Sequence, residues 1–140
     1  MLSKDFKEFI ELLNVHNVRY LVVGGYAVAF HGYPRYTKDL DVWIELSPEN
    51  ADKVMNALEK FGFGSLGLKS DDFLKDDQVI QLGYPPNRIY IMTTLKEVTF
   101  EACFKERVEI EIKGIKINFI DLGNLKLNKR ATGRSQDLAD

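Results

Sequence analysis

Two aspartates, Asp39 and Asp41, carry the densest chemical signal in the sequence. They stand in Asp39-Leu40-Asp41-Val42-Trp43-Ile44, a stretch that alternates polar and apolar at its start. Alternation of this kind reads as a strand, and in a strand residues i and i+2 face one side. The two carboxylates therefore project together, while Leu40, Val42 and Ile44 point into a core. Carboxylates held this close repel each other, and a cation relieves the repulsion. Hard oxygen donors suit Mg2+, or Mn2+. Upstream, the apolar run Tyr20 to Val23 meets a glycine pair, Gly24-Gly25, and helix-compatible residues follow from Tyr26 to His31. A glycine pair between a strand and a helix leaves backbone N–H groups open to close approach by a phosphate. A phosphate cradle and a metal-holding carboxylate pair together suit phosphoryl or nucleotidyl transfer. Taken singly, the acids could be a solvated strand face and the glycines an ordinary tight turn. Their combination favours the site.

Alternating elements must position these residues. Ser3 to Val15 carries Phe6, Phe9, Ile10 and Leu13 at helical spacing, with Ser3 as N-cap. Val18 to Val23 is the first strand. Ser47-Pro48 opens a second long helix whose apolar face is Val54, Ala57, Leu58 and Phe61, and Gly62 stops it. Residues 64–77 read as irregular, an acidic surface turn or a short helix. Gln78 to Leu82 and Arg88 to Met92 read as strands around a Gly83-Tyr84-Pro85-Pro86-Asn87 turn. Val98 to Phe104 reads as a short helix. Val108 to Ile112 and Ile115 to Ile120 alternate and are joined by Lys113-Gly114, a hairpin signal. Asp121 is the candidate cap of a helix from Leu122 to about Ala131, and Arg134 to Asp140 could begin another. The pattern predicts an α/β (α+β) fold, a mixed sheet flanked by helices, with residues 1–140 as a single domain.

Composition bounds the function classes. A hydrophobic fraction of 45% with 29% charged residues fits a water-soluble globular domain. The formal net charge of −2 announces no global basic field for nucleic acid. The single cysteine, Cys103, excludes an intramolecular disulfide and suits a reducing compartment. No apolar run approaches the ~20 residues needed to span a bilayer, and Met1 to Ile10 is too charged for a signal peptide. These features point to the cytoplasm and away from a membrane.

Gly24-Gly25, a short helix and Asp39-x-Asp41 resemble the signature of the nucleotidyltransferase superfamily, the DNA polymerase beta-like fold and its minimal members. Tyr26-Ala27, His31-Gly32, Arg35 and Thr37-Lys38-Asp39-Leu40-Asp41 resemble more specifically a small prokaryotic branch related to toxin–antitoxin nucleotidyltransferases of the AbiEii type. The resemblance implies a small palm-like sheet carrying the acids, and Mg2+-dependent transfer of a nucleoside monophosphate from an NTP to a hydroxyl. It casts Asp39 and Asp41 as catalytic metal ligands and Gly24 and Gly25 as phosphate-binding. Arg35, Lys38 and Lys129 become charges that offset the triphosphate. The segment Asn128 to Leu138 also resembles this branch, and there Lys129 and Arg134 reach toward phosphate. Arg35 and Lys38 could equally be loop charges, and Lys129 a basic helix end favoured by the macrodipole. The acceptor is open among tRNA, a protein hydroxyl and a small molecule, and an antitoxin or toxin partner is implied.

One position departs from the pattern. The resemblance expects a third acid on a later strand, in an Arg-Ile-Asp-Ile-like segment after a Pro-Pro turn. This chain has Arg88-Ile89-Tyr90-Ile91. A phenol ionises only near pH ~10, so it makes a poor metal ligand and a poor general base near neutrality. A second reading follows, a non-catalytic nucleotide-binding or partner-binding module with Tyr90 marking the lost chemistry. Glu109, Glu111 and Asp121 are later acids that could substitute, although an exposed hairpin edge is the simpler role for the two glutamates. His16 and His31 read as helix-end residues and Cys103 as a small core residue.

Overall fold

The computed structural model describes residues 2–33, 38–62, 67–84 and 87–132. Among these residues, six strands form one mixed sheet: β1 (Tyr20–Val23), β2 (Asp39–Ile44), β3 (Val79–Tyr84), β4 (Asn87–Met92), β5 (Val108–Ile112) and β6 (Ile115–Phe119). Their order across the sheet is β3-β4-β2-β1-β6-β5. β2 lies antiparallel to β1 and parallel to β4, and β1 lies parallel to β6. An antiparallel pair closes each edge, β3 with β4 and β5 with β6. The β5–β6 hairpin turns where Lys113 (φ +52°) and Gly114 (φ +83°) are both left-handed, the geometry a two-residue hairpin loop requires.

Among the described residues, five α-helices accompany the sheet: α1 (Lys4–Val15), α2 (Gly24–Phe30), α3 (Pro48–Phe61), α4 (Phe100–Lys105) and α5 (Leu122–Ala131). Their starts are written locally. Ser3 Oγ accepts from Phe6 N at 3.2 Å, Ser47 Oγ from Asn50 N at 3.1 Å, and Asp121 Oδ2 from Asn124 N at 3.2 Å. Each such cap is worth about 1 kcal/mol. Several boundaries differ from the sequence pattern. β1 begins at Tyr20 rather than Val18, because Asn17 turns left-handed (φ +57°) and Val18 N bonds back to Leu13 O. α4 begins at Phe100 because Thr99 caps it, and β3 and β4 run into the expected turn as far as Tyr84 and Asn87. A short 3-10 helix, Ser70–Phe73, lies within the segment read as irregular.

Alternation along the strands separates two faces. Leu40, Val42 and Ile44 point to the side of α1, α2 and α3, where Phe9 meets Phe61 and Phe6 meets Tyr26 edge-on at 5.7 Å. Asp39, Asp41 and Trp43 point to the other side. There α4 packs Phe100 edge-on against Trp43 at 5.1 Å, and Trp43 Nε1 donates to Thr93 O at 3.2 Å. Burying a side chain such as Phe9 or Leu13 contributes about 2 kcal/mol, and both are fully buried. One buried polar residue ties the layers. Asn50 of α3 accepts from Arg19 N at 2.8 Å and donates to Arg19 O and Glu45 O at 3.1 and 3.0 Å. It pins the start of β1 to the end of β2, and so fixes the antiparallel register between them.

Candidate functional site

β1 runs straight into α2. Val23 is extended, and Gly24 turns to φ +66° before the helix continues. Val23 pairs with Asp41 in the β1–β2 register, so the end of β1 and the second aspartate are neighbours across the ladder. Their approach is close. A Cβ added at residue 24 would lie 2.0 Å from Asp41 Oδ2 and 2.8 Å from its Cγ. Glycine is thus required twice at this position, by its left-handed backbone and by the carboxylate seated against its Cα.

The parallel register of β2 with β4 sets Asp39 beside Arg88 and Asp41 beside Tyr90. All four are half-buried, and they alternate with buried Leu40, Val42, Ile89 and Ile91. The two aspartates therefore share a face, and Tyr90 stands on the neighbouring strand at the height of Asp41. Asp39 Oδ1 is closed off from solvent. A cleft of about 350 Å3 opens on this face. Gly24, Asp41, Met92 and Lys129 are among the residues that line it. Lys129 comes from the last turn of α5 and is only 6% exposed. An ammonium so buried is costly without opposite charge nearby, and Asp41 opens onto the same cleft.

The other sequence-derived candidates separate. Gly25 lies in the first turn of α2 and Asp39 at the start of β2, and neither is among the residues lining the cleft. Lys38 shares the parity of Leu40, and with it lines a cavity of about 490 Å3 on the opposite side of β2, between the sheet and α1 and α2. Arg35 and Arg134 lie outside the described residues. Of the acids weighed as substitutes for the third carboxylate, two have other partners and the third faces solvent. Glu109 pairs with Arg107 at 3.1 Å, Glu111 is exposed on β5, and Asp121 caps α5. His31 Nε2 bonds Ile120 O at 2.7 Å at the end of α2, and His16 caps α1. Cys103 is buried, which pushes its thiol up to about 11, with the Asp121 charge adding to the effect.

Two carboxylates on one strand face fit Mg2+ by their chemistry. Mg2+ takes one or two carboxylates and completes its octahedron with waters and substrate phosphates. Among the described residues no group of three or more His, Cys, Asp and Glu converges as a metal cage. A cation held here would thus draw its remaining ligands from substrate and water.

The architecture has a solved counterpart. The chain is similar to the 1.87 Å crystal structure of a candidate nucleotidyltransferase from Thermotoga maritima, with a TM-score of 0.65. The match covers 95% of this chain and 85% of that one, at 16% identity. The fold is nucleotidyltransferase-like. No family model matches the chain, and no curated protein matches it by sequence. At 16% identity the likeness carries the fold, so the activity rests on the site.

Within that fold, three residues of the acidic face were not singled out by spacing. Arg88 stands beside Asp39, and Asp77 and Lys96 line the cleft that Asp41 opens onto. For Arg88 the signal was available, since it shares the parity of Tyr90. For Asp77 and Lys96 the placement depends on how β3 and β4 pair, which no local pattern states.

Proposed function

We propose that this chain binds a nucleoside triphosphate with Mg2+, or Mn2+, at the Gly24–Asp41 cleft and acts as a nucleotidyltransferase. The supporting observation is the Asp41 carboxylate seated against Gly24 in a cleft that Lys129 also lines. Asp39 and Asp41 would hold the cation, which when bound would neutralise phosphate charge and polarise the phosphoryl group under attack. Gly24 and Gly25 would present backbone N–H groups to phosphate, and Lys129 would offset the remaining negative charge. An acceptor hydroxyl oxygen then bonds to the α-phosphorus, the bond to the bridging oxygen breaks, and pyrophosphate leaves. The acceptor is a hydroxyl of tRNA, of a protein or of a small molecule.

The hydroxyl proton needs a base, and Tyr90 beside Asp41 favours a second reading. In that reading the chain binds nucleotide without transferring it, as a partner module such as a toxin–antitoxin component of the AbiEii-related branch. One experiment separates the two. The chain is incubated with NTP labelled at the α-phosphate and Mg2+, with tRNA, protein and small-molecule acceptors in turn, and pyrophosphate and label transfer are followed beside nucleotide binding. Binding with transfer supports the enzyme, binding without transfer supports the module, and absence of binding rejects both.

A further inference from the structure

The cleft runs well past Asp41, and its far end carries groups that the transfer step does not use. Thr94 lies four positions beyond Tyr90, the register partner of Asp41. It stands two residues past the end of β4, so an extended chain would set it at most about 13 Å from Tyr90. Asp77, just before β3, is clamped to Thr94. Thr94 Oγ1 donates to Asp77 Oδ1 at 2.8 Å, and Asp77 N donates to Thr94 Oγ1 at 3.1 Å. Asp77 is left-handed (φ +57°), a conformation that Asp and Asn adopt more readily than other residues with a side chain. Both residues line the cleft, together with Lys96 and Asn128, and Asn128 Nδ2 donates to Lys96 O at 3.2 Å.

Gly24 lets a phosphate approach the backbone beside Asp41, whereas the Asp77 carboxylate, with Lys96 lining the same cleft, accepts hydrogen bonds from donors. The separation suits a nucleotide whose α-phosphate sits by Asp41 and whose nucleoside extends toward Asp77. We propose that Asp77, oriented by Thr94, recognises the nucleoside by accepting hydrogen bonds from its donors. This rests on the nucleotide-binding reading above. The donors come from the base or from the ribose hydroxyls. If they come from the base, guanine is preferred, because its pairing edge presents two adjacent N–H donors to the two carboxylate oxygens. Adenine presents one donor beside a ring-nitrogen acceptor, whose lone pair meets the carboxylate unfavourably.

The test measures affinity of the full chain, with Mg2+, for GTP, ATP, 2′-deoxy-GTP and inorganic triphosphate, before and after Asp77→Asn. Asparagine tolerates the left-handed backbone and keeps an oxygen for the Thr94 hydroxyl, but presents an N–H2 donor where a carboxylate oxygen stood. The expected result is a loss of about tenfold for GTP, as for one hydrogen bond to a charged group, with inorganic triphosphate unchanged. Thr94→Val should give a smaller loss with the same pattern. A loss confined to GTP and its deoxy analogue assigns the donors to guanine. A loss shared by GTP and ATP but absent for the deoxy analogue assigns them to the ribose hydroxyl, and either supports the role of Asp77. Unchanged nucleotide affinity, or an equal loss for inorganic triphosphate, would overturn it while leaving the nucleotide reading intact. If the unaltered chain binds none of the four ligands, the nucleotide reading falls and this assignment falls with it.

Discussion

The sheet carries two acid pairs of the same local form, Asp39 with Asp41 on β2 and Glu109 with Glu111 on β5. The registers through β1 and β6 put both pairs on one face of the sheet. They stand three strand spacings apart, roughly 14 Å. Their surroundings differ entirely. β2 is central, flanked by β1 and β4, and Asp41 is half-buried against Gly24 with Lys129 on the same cleft. β5 is an edge strand, and Glu109 there reaches Arg107 at 3.1 Å and Lys116 at 3.9 Å over solvent. Spacing of i and i+2 therefore makes a carboxylate pair but not a site. The site needs a place in the sheet where a glycine lets backbone approach and where burial raises the value of each charge.

The largest expected effect comes from filling the space that distinguishes the β2 pair. Gly24→Ala drives a Cβ into the Asp41 carboxylate at a left-handed residue, and should cost about 3 kcal/mol or more of unfolding free energy. Nucleotide binding should be lost with it. Gly114→Ala in the β5–β6 turn is also left-handed but meets nothing within 4 Å, so it should cost only about 1 kcal/mol. Urea unfolding of the two variants reads this contrast, and equal losses would mean that Asp41 does not press on residue 24. Next in size is Asp41→Asn. A saturating nucleotide with Mg2+, at about 100 times its dissociation constant, stabilises a binding protein by about 2.7 kcal/mol. Asp41→Asn should abolish most of that stabilisation, and Glu111→Gln should leave it whole. A thermal shift that survives in the Asp41 variant would place the nucleotide elsewhere.

This contrast also marks what the sequence could and could not say. Alternation gave the shared face of Asp39 and Asp41, and the Ser3, Ser47 and Asp121 caps and the Lys113-Gly114 turn gave element ends, because all of these are local. The same period separates Lys38 from the acids, since odd and even positions on one strand face opposite ways. The neighbours of Asp41 are not local. Tyr90 reaches it through a parallel pairing of β2 with β4, and Lys129 through the packing of α5 over the acidic face. Tertiary pairing of this range leaves no periodic trace in the chain. A resemblance to known nucleotidyltransferases supplied the expectation for position 90, and the register then put Tyr90 beside Asp41.

Tyr90→Asp sharpens the comparison on the β2 side. Ile89 and Ile91 are buried on the opposite face, so the substitution leaves the core untouched. It introduces a carboxylate beside Asp41 that can take a proton from an acceptor hydroxyl. A positioned base contributes about 100-fold or more to such a step, and an imperfectly placed one less. The transfer rate should rise at least about tenfold, while nucleotide affinity changes less. Robust turnover by the unaltered chain, or no gain in a variant that still folds and binds, would show that another group serves as base.

The smallest effect belongs to the edge pair. Glu109→Gln removes the partner of Arg107 and Lys116, all partly exposed, and pairs of this kind contribute about 0.5 kcal/mol or less. Its more telling readout is alkaline. The Tyr20 phenol is pushed up to about 12 from 10.0, chiefly by burial, with the Glu109 charge adding to the rise; hydrogen bonds from Asn118 and with Asn14 oppose it. A folded pKa above the unfolded one means that the unfolded chain gives up its proton first. The stability tied to the protonated phenol is therefore whole below pH 10 and is lost as pH rises from about 10 to about 12. Removing the Glu109 charge lowers the folded value, so the variant should lose stability less steeply across that window while differing little at pH 7. Urea midpoints at neutral and alkaline pH measure both limbs. A slope equal to that of the unaltered chain would mean that Glu109 is screened from Tyr20, which would make the edge pair still more a surface feature than the structure draws it.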